Sequence, residues 1–291
     1  MPELPEVHAL VTDLRGRLVG RTVKRFDVVS FAALKTFDPP VSALDGQTVA
    51  AVDRHGKFLD LTIGDAPDSR VHLLFHLARA GWLRWRDSAP TPGAGRGKGP
   101  LAARMVLDDG TGFDLTEYGT KKSLAIWVVR SPEEVPGVAR LGPDPLDPAF
   151  TVEVLDGILK SQGRAQIKGV LRAQANIAGI GNAYSDEILH VAHMSPFKPA
   201  SMSAEETQHL YDAIQSELRA AIERADGLAA SELKAEKKSN LRVHGRTGEP
   251  CPICGDTVRQ VTYADSSLQY CPTCQTGGKP LADRVLSRLL K

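Results

Sequence analysis

The four cysteines of this 291-residue chain form two Cys-x-x-Cys pairs, Cys251 with Cys254 and Cys271 with Cys274, separated by sixteen residues. Two sulfurs at this spacing can approach one ion, and two such pairs supply the four thiolates of a tetrahedral zinc site. Disulfides and iron held in the same four-sulfur geometry are the alternatives. Because such a site leaves no coordination position open, we predict one structural zinc ion, with a β-hairpin between the two pairs.

The N-terminus offers a second kind of chemistry. Pro2 is a small residue after the initiator methionine, and removal of Met1 would leave it with a free secondary amine. Attack of a secondary amine on a sugar aldehyde carbon gives an iminium cation, which is a strong electron sink for elimination. An α-amine also has an unprotonated fraction near neutral pH that an ordinary lysine lacks. Glu3 and Glu6 are suited to general acid–base work, although acids at a helix start also have a purely electrostatic explanation.

A third signal is the segment from Ile177 to Glu187, in which a tight glycine turn leads into a helix. Backbone N–H groups at such a helix start point outward and can bind phosphate, and Asn182 can add a side-chain donor. Lys168 lies on the preceding predicted helix. A helical hairpin with a purely structural role is the alternative.

The first half of the chain has the pattern of a β-rich domain that begins with a helix. Apolar residues at helical spacing predict a helix over 5–19. Short segments rich in Val, Leu, Phe and Trp, separated by turn signals, fill 21–130 and are typical of an antiparallel sandwich or barrel. The Pro- and Gly-rich residues 87–100 predict a surface loop.

The second half is predicted to be helical up to a basic C-terminal module. Helices are expected over 149–160, 165–176, 182–192 and 203–225. Asp147-Pro148 predicts the start of the first of them, and Ser203 with Glu206 predicts a capping box for the last. From about residue 227, an irregular basic stretch is expected to lead into the cysteines.

These elements predict an α+β fold. We expect an N-terminal antiparallel β-sandwich flanked by helices, then a helical domain, then a zinc-finger hairpin. The predicted segments are an N-terminal domain at 1–131, a linker at 132–148, a helical domain at 149–240 and a zinc finger with its tail at 241–291.

Charge and composition indicate which classes of protein and partner fit this chain. The 36 Lys and Arg residues nearly balance 35 Asp and Glu residues, but 227–291 carries +4 and the rest of the chain −3. A basic C-terminal module suits a polyanion, although a solvated surface explains the charge equally well. The 42% hydrophobic content excludes wholesale disorder. The absence of a signal peptide or membrane-spanning segment favours a cytoplasmic protein, nucleoid-associated if the source is bacterial.

Five motifs and the paired cysteines stand in the order found in one known family. They are Pro2-Glu-Leu-Pro-Glu6, His55-Gly-Lys57, Ile167-Lys168, Gly179-Ile-Gly-Asn-Ala-Tyr184 and the lead-in Val243–Cys251, followed by the double Cys-x-x-Cys that ends in Gln275. On these motifs the chain resembles the formamidopyrimidine-DNA glycosylase/endonuclease VIII family over essentially its whole length, and it is closer to the first branch. The resemblance implies a helix–two-turn–helix in the helical domain.

The resemblance also implies a function and a set of site residues. The expected activity is base excision from damaged double-stranded DNA with strand cleavage at abasic sites, by a monomer with one structural zinc. Pro2 would attack C1′, Glu3 would act as general acid, Glu6 would support the site, and Lys57 would contact the lesion or its phosphate. The expected DNA contacts are His76, Arg79, Lys121, Lys122, Lys168, Asn182, Arg246 and Arg259.

Three departures from the family pattern affect the substrate prediction. The finger arginine of the family is Ser266 here, and Arg259 could replace it only if the hairpin geometry permits. The residues that would fill the gap of an extruded base are Arg79 and Lys121 or Lys122, without an aromatic wedge. A shorter stretch at 228–240 replaces the loop that recognises 8-oxoguanine, so either other oxidised bases or abasic sites are the expected substrates, or the activity is reduced.

Two other functions remain open on the sequence. One is a catalytically weak paralogue that binds lesions without excising them, which Ser266 and the missing wedge favour. The other is a zinc-ribbon factor that binds intact nucleic acid and has no use for a processed N-terminus.

Overall fold

The computed structural model describes residues 1–88 and 99–283. They form two compact units, which we call the N-terminal unit (Met1–Leu141 with Ala225–Leu233) and the C-terminal unit (Gly142–Arg224 with the described residues from Lys234 onward). The four-segment division expected from the sequence stays a prediction. Most of the loop predicted at 87–100 lies outside the described residues. No helix within the described ranges is long and apolar enough to cross a membrane.

The N-terminal unit contains one long helix and two four-stranded antiparallel sheets. Its helix α1 spans Leu4–Leu18, close to the predicted 5–19. The sheets have the strand orders β1-β6-β7-β5 and β2-β3-β4-β8. The strands are β1 (Val23–Val28), β2 (Val49–His55), β3 (Phe58–Ile63), β4 (Val71–His76), β5 (Gly81–Arg86), β6 (Leu101–Leu107), β7 (Gly112–Glu117) and β8 (Ala125–Val129).

Alternating apolar residues of both sheets meet in a single core, which confirms the predicted sandwich. On β3, Leu59, Leu61 and Ile63 are fully buried and point into this core, as the two-residue period of a strand requires. Leu10 and Leu14 of α1 lie four residues apart on one helix face and are also fully buried in it. A short helix α2 (Pro136–Ala139) follows the second sheet.

The C-terminal unit is helical up to the zinc-finger hairpin. Its helices are α3 (Val152–Gln162), α4 (Ile167–Arg172), α5 (Asn182–Val191), α6 (Ala204–Ala225, ending at the unit boundary) and α7 (Leu233–Asn240). The hairpin consists of β9 (Arg259–Thr262) and β10 (Ser267–Tyr270), and the short helix α8 (Pro272–Thr276) follows it.

The predicted starts of two helices can be compared with the structure, and one of the two predictions is confirmed. The Ser203–Glu206 capping box is confirmed, because the Glu206 N–H donates to Ser203 Oγ at 3.2 Å and the Ser203 N–H donates to Glu206 Oε2 at 3.0 Å. The prediction that Asp147-Pro148 begins α3 was wrong. Thr151 is the N-cap instead, and its hydroxyl oxygen accepts from the Val154 N–H at 3.4 Å.

The segment after residue 227 is also more regular than predicted. Part of it forms α7, where the irregular stretch was expected. Leu233 is the only buried residue of α7. The segment therefore has no stripe of apolar residues at helical spacing from which a helix could be predicted. Polar contacts support the helix, since Arg224 Nε pairs with Glu236 at 3.0 Å and Asn240 Nδ2 donates to the Glu236 carbonyl at 2.9 Å.

Candidate functional site

The two acids after Pro2 fix the start of α1. Glu3 is the N-cap residue, and its backbone N–H donates to Glu6 Oε2 at 2.8 Å, while the Glu3 side chain accepts from the Glu6 backbone. Both carboxylates are buried, at 2% and 3% exposure, and Pro2 is buried beside them. This capping box holds Pro2 in a defined place immediately before the helix, and it gives Glu3 and Glu6 a structural role as well as the predicted catalytic ones.

The packing of α1 determines which end of the sandwich carries Pro2. The Gly20 N–H, just after α1, donates to the Val49 carbonyl at 2.9 Å, and Arg15 donates to the Val52 carbonyl at 2.7 Å. The helix α1 and the strand β2 therefore run antiparallel to each other, so the N-terminal end of α1 lies beside the C-terminal end of β2. The start of α1 lies at the end of the sandwich where β2 turns into β3.

Lys57 lies in that β2–β3 turn. His55 pairs with Phe58, so Gly56 and Lys57 form a two-residue hairpin loop, and Gly56 has the positive φ of +55° that the first position of a type II′ turn requires. The turn explains the His-Gly-Lys motif. Lys57 is only 6% exposed, which is rare for a lysine.

His76 ends β4 at the same edge and is held in its neutral form. It pairs with Phe58 in the strand register. Burial, followed by the positive charge of Lys57, lowers the pKa of His76 to about 4. The Ala78 N–H donates to His76 Nδ1 at 3.2 Å, so the ring proton must lie on Nε2. His76 is therefore an uncharged N–H donor at neutral pH.

Arg79 is presented on a strained turn between β4 and β5. Ala78 has φ +52°, a conformation that costs a residue with a Cβ about 1–2 kcal/mol. The Gly81 N–H donates to the Leu77 carbonyl at 2.9 Å, and a Cβ on Gly81 would lie 2.1 Å from that oxygen. Only glycine fits there, and the turn leaves Arg79 exposed.

The β7–β8 loop carries Lys121 and Lys122 and is anchored by a buried acid. Glu117 is 3% exposed, and its Oε1 accepts from the N–H groups of Ser123 and Leu124 at 2.8 and 3.0 Å. Lys122 Nζ donates to the Glu117 carbonyl, and Lys121 is exposed on the loop. No local sequence pattern marks Glu117 as the anchor of this loop.

The strand register brings the predicted N-terminal site residues to one end of the sandwich. Gly81 pairs with Glu117, and Ala125 pairs with His76, so the β4–β5 turn and the β7–β8 loop flank the Lys57 turn. This end therefore combines a proline at the chain start, two buried carboxylates, a neutral imidazole and lysines. The individual roles assigned to these residues stay predictions.

The neutral state of His76 predicts acid sensitivity of the fold. An unfolded histidine titrates near 6.5, so between about pH 6.5 and pH 4 the unfolded chain binds a proton that the folded chain does not. His76 should therefore lower the free energy of unfolding by up to about 3 kcal/mol as the pH falls through this window. Urea unfolding at pH 7 and pH 4.5 tests this, since His76→Gln should lose less stability than the wild type. Equal losses would contradict the assignment.

In the C-terminal unit, Lys168 is buried and paired. It is 4% exposed, and its Nζ contacts Asp186 Oδ1 at 2.6 Å and donates to Ser185 Oγ at 2.7 Å and to the Asn182 carbonyl at 3.1 Å. Lys168 therefore holds α4 against the first turns of α5. Its direct contact with DNA stays a prediction and would require it to leave Asp186.

The other predicted DNA contacts of this unit also have internal partners. Asn182 Nδ2 donates to the Ser267 carbonyl at 2.8 Å, and Arg246 Nε pairs with Glu249 at 2.7 Å. Arg259 pairs with Tyr270 at the cysteine end of the hairpin, whereas Ser266 closes the turn by accepting from the Tyr263 N–H at 2.8 Å. Arg259 is thus three residue pairs from the turn and does not occupy the place of Ser266.

Two buried acids of α5, which were not among the predicted site residues, connect this helix to the segment before the zinc finger. Asp186 Oδ2 lies 2.7 Å from His244 Nδ1, and Glu187 accepts from the backbone N–H groups of Arg242, Val243 and His244 at 2.7–3.0 Å. Both acids are fully buried. The signal that could have identified them is their position one turn after Asn182, inside the glycine-turn motif.

The four cysteine sulfurs fit a zinc ion. They all lie within 4.8 Å of one another, with Cys254 Sγ 3.3 Å from Cys271 Sγ and Cys251 Sγ 3.9 Å from Cys274 Sγ. A tetrahedron with Zn–S bonds of about 2.3 Å has edges of about 3.8 Å. Burial raises the pKa of the Cys271 thiol to about 11, and a divalent cation reverses this by stabilising the thiolate. The donor set is that of a closed structural zinc site.

Comparison with known proteins identifies all three regions of the chain. Residues 1–119 match the formamidopyrimidine-DNA glycosylase N-terminal domain, residues 141–232 match the H2TH domain of the same enzymes, and residues 248–277 match the zinc finger found in FPG and IleRS. These matches exclude a zinc-ribbon factor with an unrelated body and support one structural zinc ion.

Relatives and solved structures agree with the domain matches. An uncharacterized formamidopyrimidine-DNA glycosylase-like protein of Mycobacterium tuberculosis is 57% identical over 152 residues, which are 52% of this chain and 94% of that protein. The formamidopyrimidine-DNA glycosylase of Thermus thermophilus is 33% identical over 96% of this chain and 100% of its own length.

The crystal structure of the Thermus thermophilus MutM (FPG) protein has a TM-score of 0.78 at 31% identity, covering 96% of this chain and 100% of that chain. Lactococcus lactis Fpg in complex with DNA containing an abasic site has a TM-score of 0.80 at 26% identity, covering 94% and 99% of the two chains. The full-length similarity to a named enzyme, the three domain matches and the four-cysteine site lead to one conclusion: this chain belongs to the formamidopyrimidine-DNA glycosylase family.

Proposed function

We propose that this protein is a bifunctional DNA glycosylase and abasic-site lyase, which removes oxidised bases and then cuts the strand by Schiff-base chemistry at Pro2. The observation that carries the proposal is the start of α1, where Pro2 precedes a capping box of two buried carboxylates. This geometry supports a nucleophile with a fixed orientation and an acid next to it.

The proposed reaction begins with the mature Pro2 nitrogen. Its lone pair attacks C1′ of the damaged nucleotide, the glycosidic bond from C1′ to the base breaks, and the base leaves with the proton that the Pro2 nitrogen gives up. Glu3 supplies a proton to the opening sugar, and the resulting iminium withdraws electrons from C2′. Loss of the C2′ proton then expels the 3′ phosphate, which is β-elimination, and a second elimination can expel the 5′ phosphate. Water releases the sugar fragment from Pro2.

The proposed partner is damaged double-stranded DNA, bound by a monomer. Fpg from Lactococcus lactis has been solved with abasic-site DNA, and MutM has been solved with DNA containing carbocyclic 8-oxo-G. In this chain, the neutral N–H donor of His76 and the exposed Arg79 and Lys121 suit phosphate and base contacts at the Pro2 end of the sandwich. DNA as the substrate agrees with the predicted cytoplasmic, nucleoid-associated location.

A second candidate function is lesion binding with weak or no excision. Ser266 stands at the hairpin turn where the family resemblance places an arginine, and Arg259 lies at the far end of the hairpin. A turn without a cation gives up one charge-assisted phosphate contact. In this second function the protein binds damaged DNA, and the reaction at Pro2 is not required.

Restoring the cation at the turn should strengthen DNA binding. For Ser266→Arg we expect about tenfold tighter binding to an abasic-site duplex, because a hydrogen bond between charged partners contributes about 1.5–3 kcal/mol. The slope of log K against log salt concentration should steepen by about 0.9 for one added phosphate contact. Fluorescence anisotropy across a salt series measures both quantities. Ser216→Arg, which adds the same charge on the exposed face of α6, is the control. Equal effects of the two substitutions would show that the turn has no special place in DNA binding.

Borohydride trapping separates the two candidate functions. Reduction of the iminium by borohydride leaves a stable covalent complex between a lyase and abasic-site DNA, whereas a binding protein leaves none. We expect the wild-type protein to form that complex. A duplex panel with single oxidised bases then identifies the excised lesion.

A further inference from the structure

His190 is a buried histidine that touches a zinc ligand and has no role in the proposed reaction. It lies in the last turn of α5 and is 1% exposed. Its Nε2 is 3.3 Å from the Sγ of Cys251, which is itself 2% exposed. Its other ring nitrogen, Nδ1, is buried and has no hydrogen-bond partner among the described residues.

The two ring nitrogens of His190 can be assigned from these contacts. A proton on Nδ1 would bury an unsatisfied donor and turn the Nε2 lone pair toward the electron-rich sulfur. A proton on Nε2 satisfies that donor on the sulfur and leaves only an acceptor unpaired at Nδ1, which is the cheaper arrangement. The surroundings therefore select the neutral Nε2–H tautomer.

We propose that His190 is a positioning residue of the zinc site, whose Nε2–H donates to the Cys251 thiolate and fastens the first cysteine pair to α5. Four thiolates around Zn²⁺ leave a net charge of −2 on the cluster. Cys251 is buried, so water cannot solvate the negative charge on its sulfur. An N–H donor from the protein is needed to stabilise that charge instead.

Two further hydrogen bonds, one near each end of α5, join this region to the zinc-finger hairpin and its cysteine pairs. They show that the His190 contact is part of a larger attachment. His193, just after α5, has Nδ1 3.3 Å from the Cys274 carbonyl, in the second cysteine pair. At the other end of the helix, Asn182 Nδ2 donates to the Ser267 carbonyl in the hairpin. With His190 on Cys251, α5 and the residues just after it support both cysteine pairs and the hairpin between them.

A different arrangement would make His190 a ligand rather than a support. In that case zinc would be bound by three sulfurs and the His190 nitrogen. The four sulfurs are already close enough for a complete tetrahedron, and His190 approaches the ligand Cys251. X-ray absorption of the zinc-loaded protein distinguishes the two, because we expect four sulfur neighbours and a nitrogen in the first shell would overturn the proposal.

Zinc-release kinetics test the donor itself. In the zinc-loaded protein, His190→Phe fills the space without a donor. Losing such a ligand partner typically costs about 10–100-fold in metal affinity, and we expect this loss to appear as zinc transfer to a chromophoric chelator that is faster by a factor on the order of 10–100. His190→Gln places an amide N–H near the position of Nε2 and should stay within about threefold of the wild type. His209→Phe, the same change at an exposed site on α6, should have no effect.

The outcomes separate a donor from a packing residue without reference to catalysis. Wild-type release rates in His190→Phe would overturn the proposal, and so would equally fast release from His190→Gln and His190→Phe, which would indicate packing alone. The ¹⁵N shifts of the His190 ring in the zinc-loaded wild type are an independent measurement. We expect a protonated Nε2 and a bare Nδ1, and the opposite tautomer would contradict the assignment.

Discussion

Replacing Pro2 with glycine should lower borohydride trapping on abasic-site DNA by a factor on the order of 10³ or more. The ring of Pro2 makes its nitrogen a secondary amine, so the iminium it forms stays cationic without an added proton. Glycine offers a flexible primary amine whose imine must be protonated to withdraw electrons. It also loses the orientation that a buried proline has directly before the α1 capping box.

Two controls make this result specific to the Pro2 nitrogen. Pro5→Ala changes another proline in the first turn of α1 without touching the terminal amine, and it should trap DNA as the wild type does. An uncleaved N-terminal tag turns the Pro2 nitrogen into an amide, and it should abolish strand cleavage while DNA affinity is retained. Cleavage by the tagged protein would count against Pro2.

The second large effect is expected from loss of the metal. Removing zinc, or changing Cys254 to serine, should melt the hairpin module and weaken DNA binding, because structural zinc contributes roughly 10–16 kcal/mol of binding free energy to such modules. The core around the cysteines consists mainly of Val243, Val258 and the cysteines themselves, and the hairpin adds only a small second cluster of Val261, Leu268 and Tyr270. With two such small clusters, the metal should contribute a large share of the stability of this module. Circular dichroism and anisotropy on abasic-site DNA measure the two effects.

The control for the metal prediction lies in the same cysteine pair. Ile253 stands between Cys251 and Cys254 and is 63% exposed, so Ile253→Ala should keep both zinc and the folded hairpin. Unchanged DNA affinity in the zinc-free protein would show that the hairpin is not part of the DNA contact surface. Because His190 in the last turn of α5 and His193 just after it contact the two cysteine pairs, we also expect the zinc-free protein to lose hydrogen-exchange protection at the end of α5.

Features encoded over a few residues could be predicted from the sequence. The zinc ligands, the Ser203–Glu206 cap and the start of α1 depend on spacings of two to four residues. The alternation of apolar residues also predicted the sandwich, since each strand has one face in the core.

Features that depend on distant partners could not be predicted. The burial of Lys168 follows from its pairing with Asp186, 18 residues away on another helix. The contact of His190 with Cys251 joins residues 61 positions apart. The helix α7 forms in a segment with few apolar residues, where Leu233 is buried and Glu236 pairs with Arg224 of α6. In each case the burial or the helix depends on tertiary contacts, and no pattern of neighbouring residues in the sequence indicates them.

The proposed mechanism depends most on the identity of the protein atom that bonds to deoxyribose. The direct measurement is mass spectrometry of the borohydride-trapped complex of native protein with abasic-site DNA, after digestion to peptides. We predict that Met1 is absent and that the sugar adduct lies on the peptide that begins with Pro2, on its nitrogen. An adduct on a lysine such as Lys57, or a trapped protein that still carries Met1, would contradict the proposed mechanism.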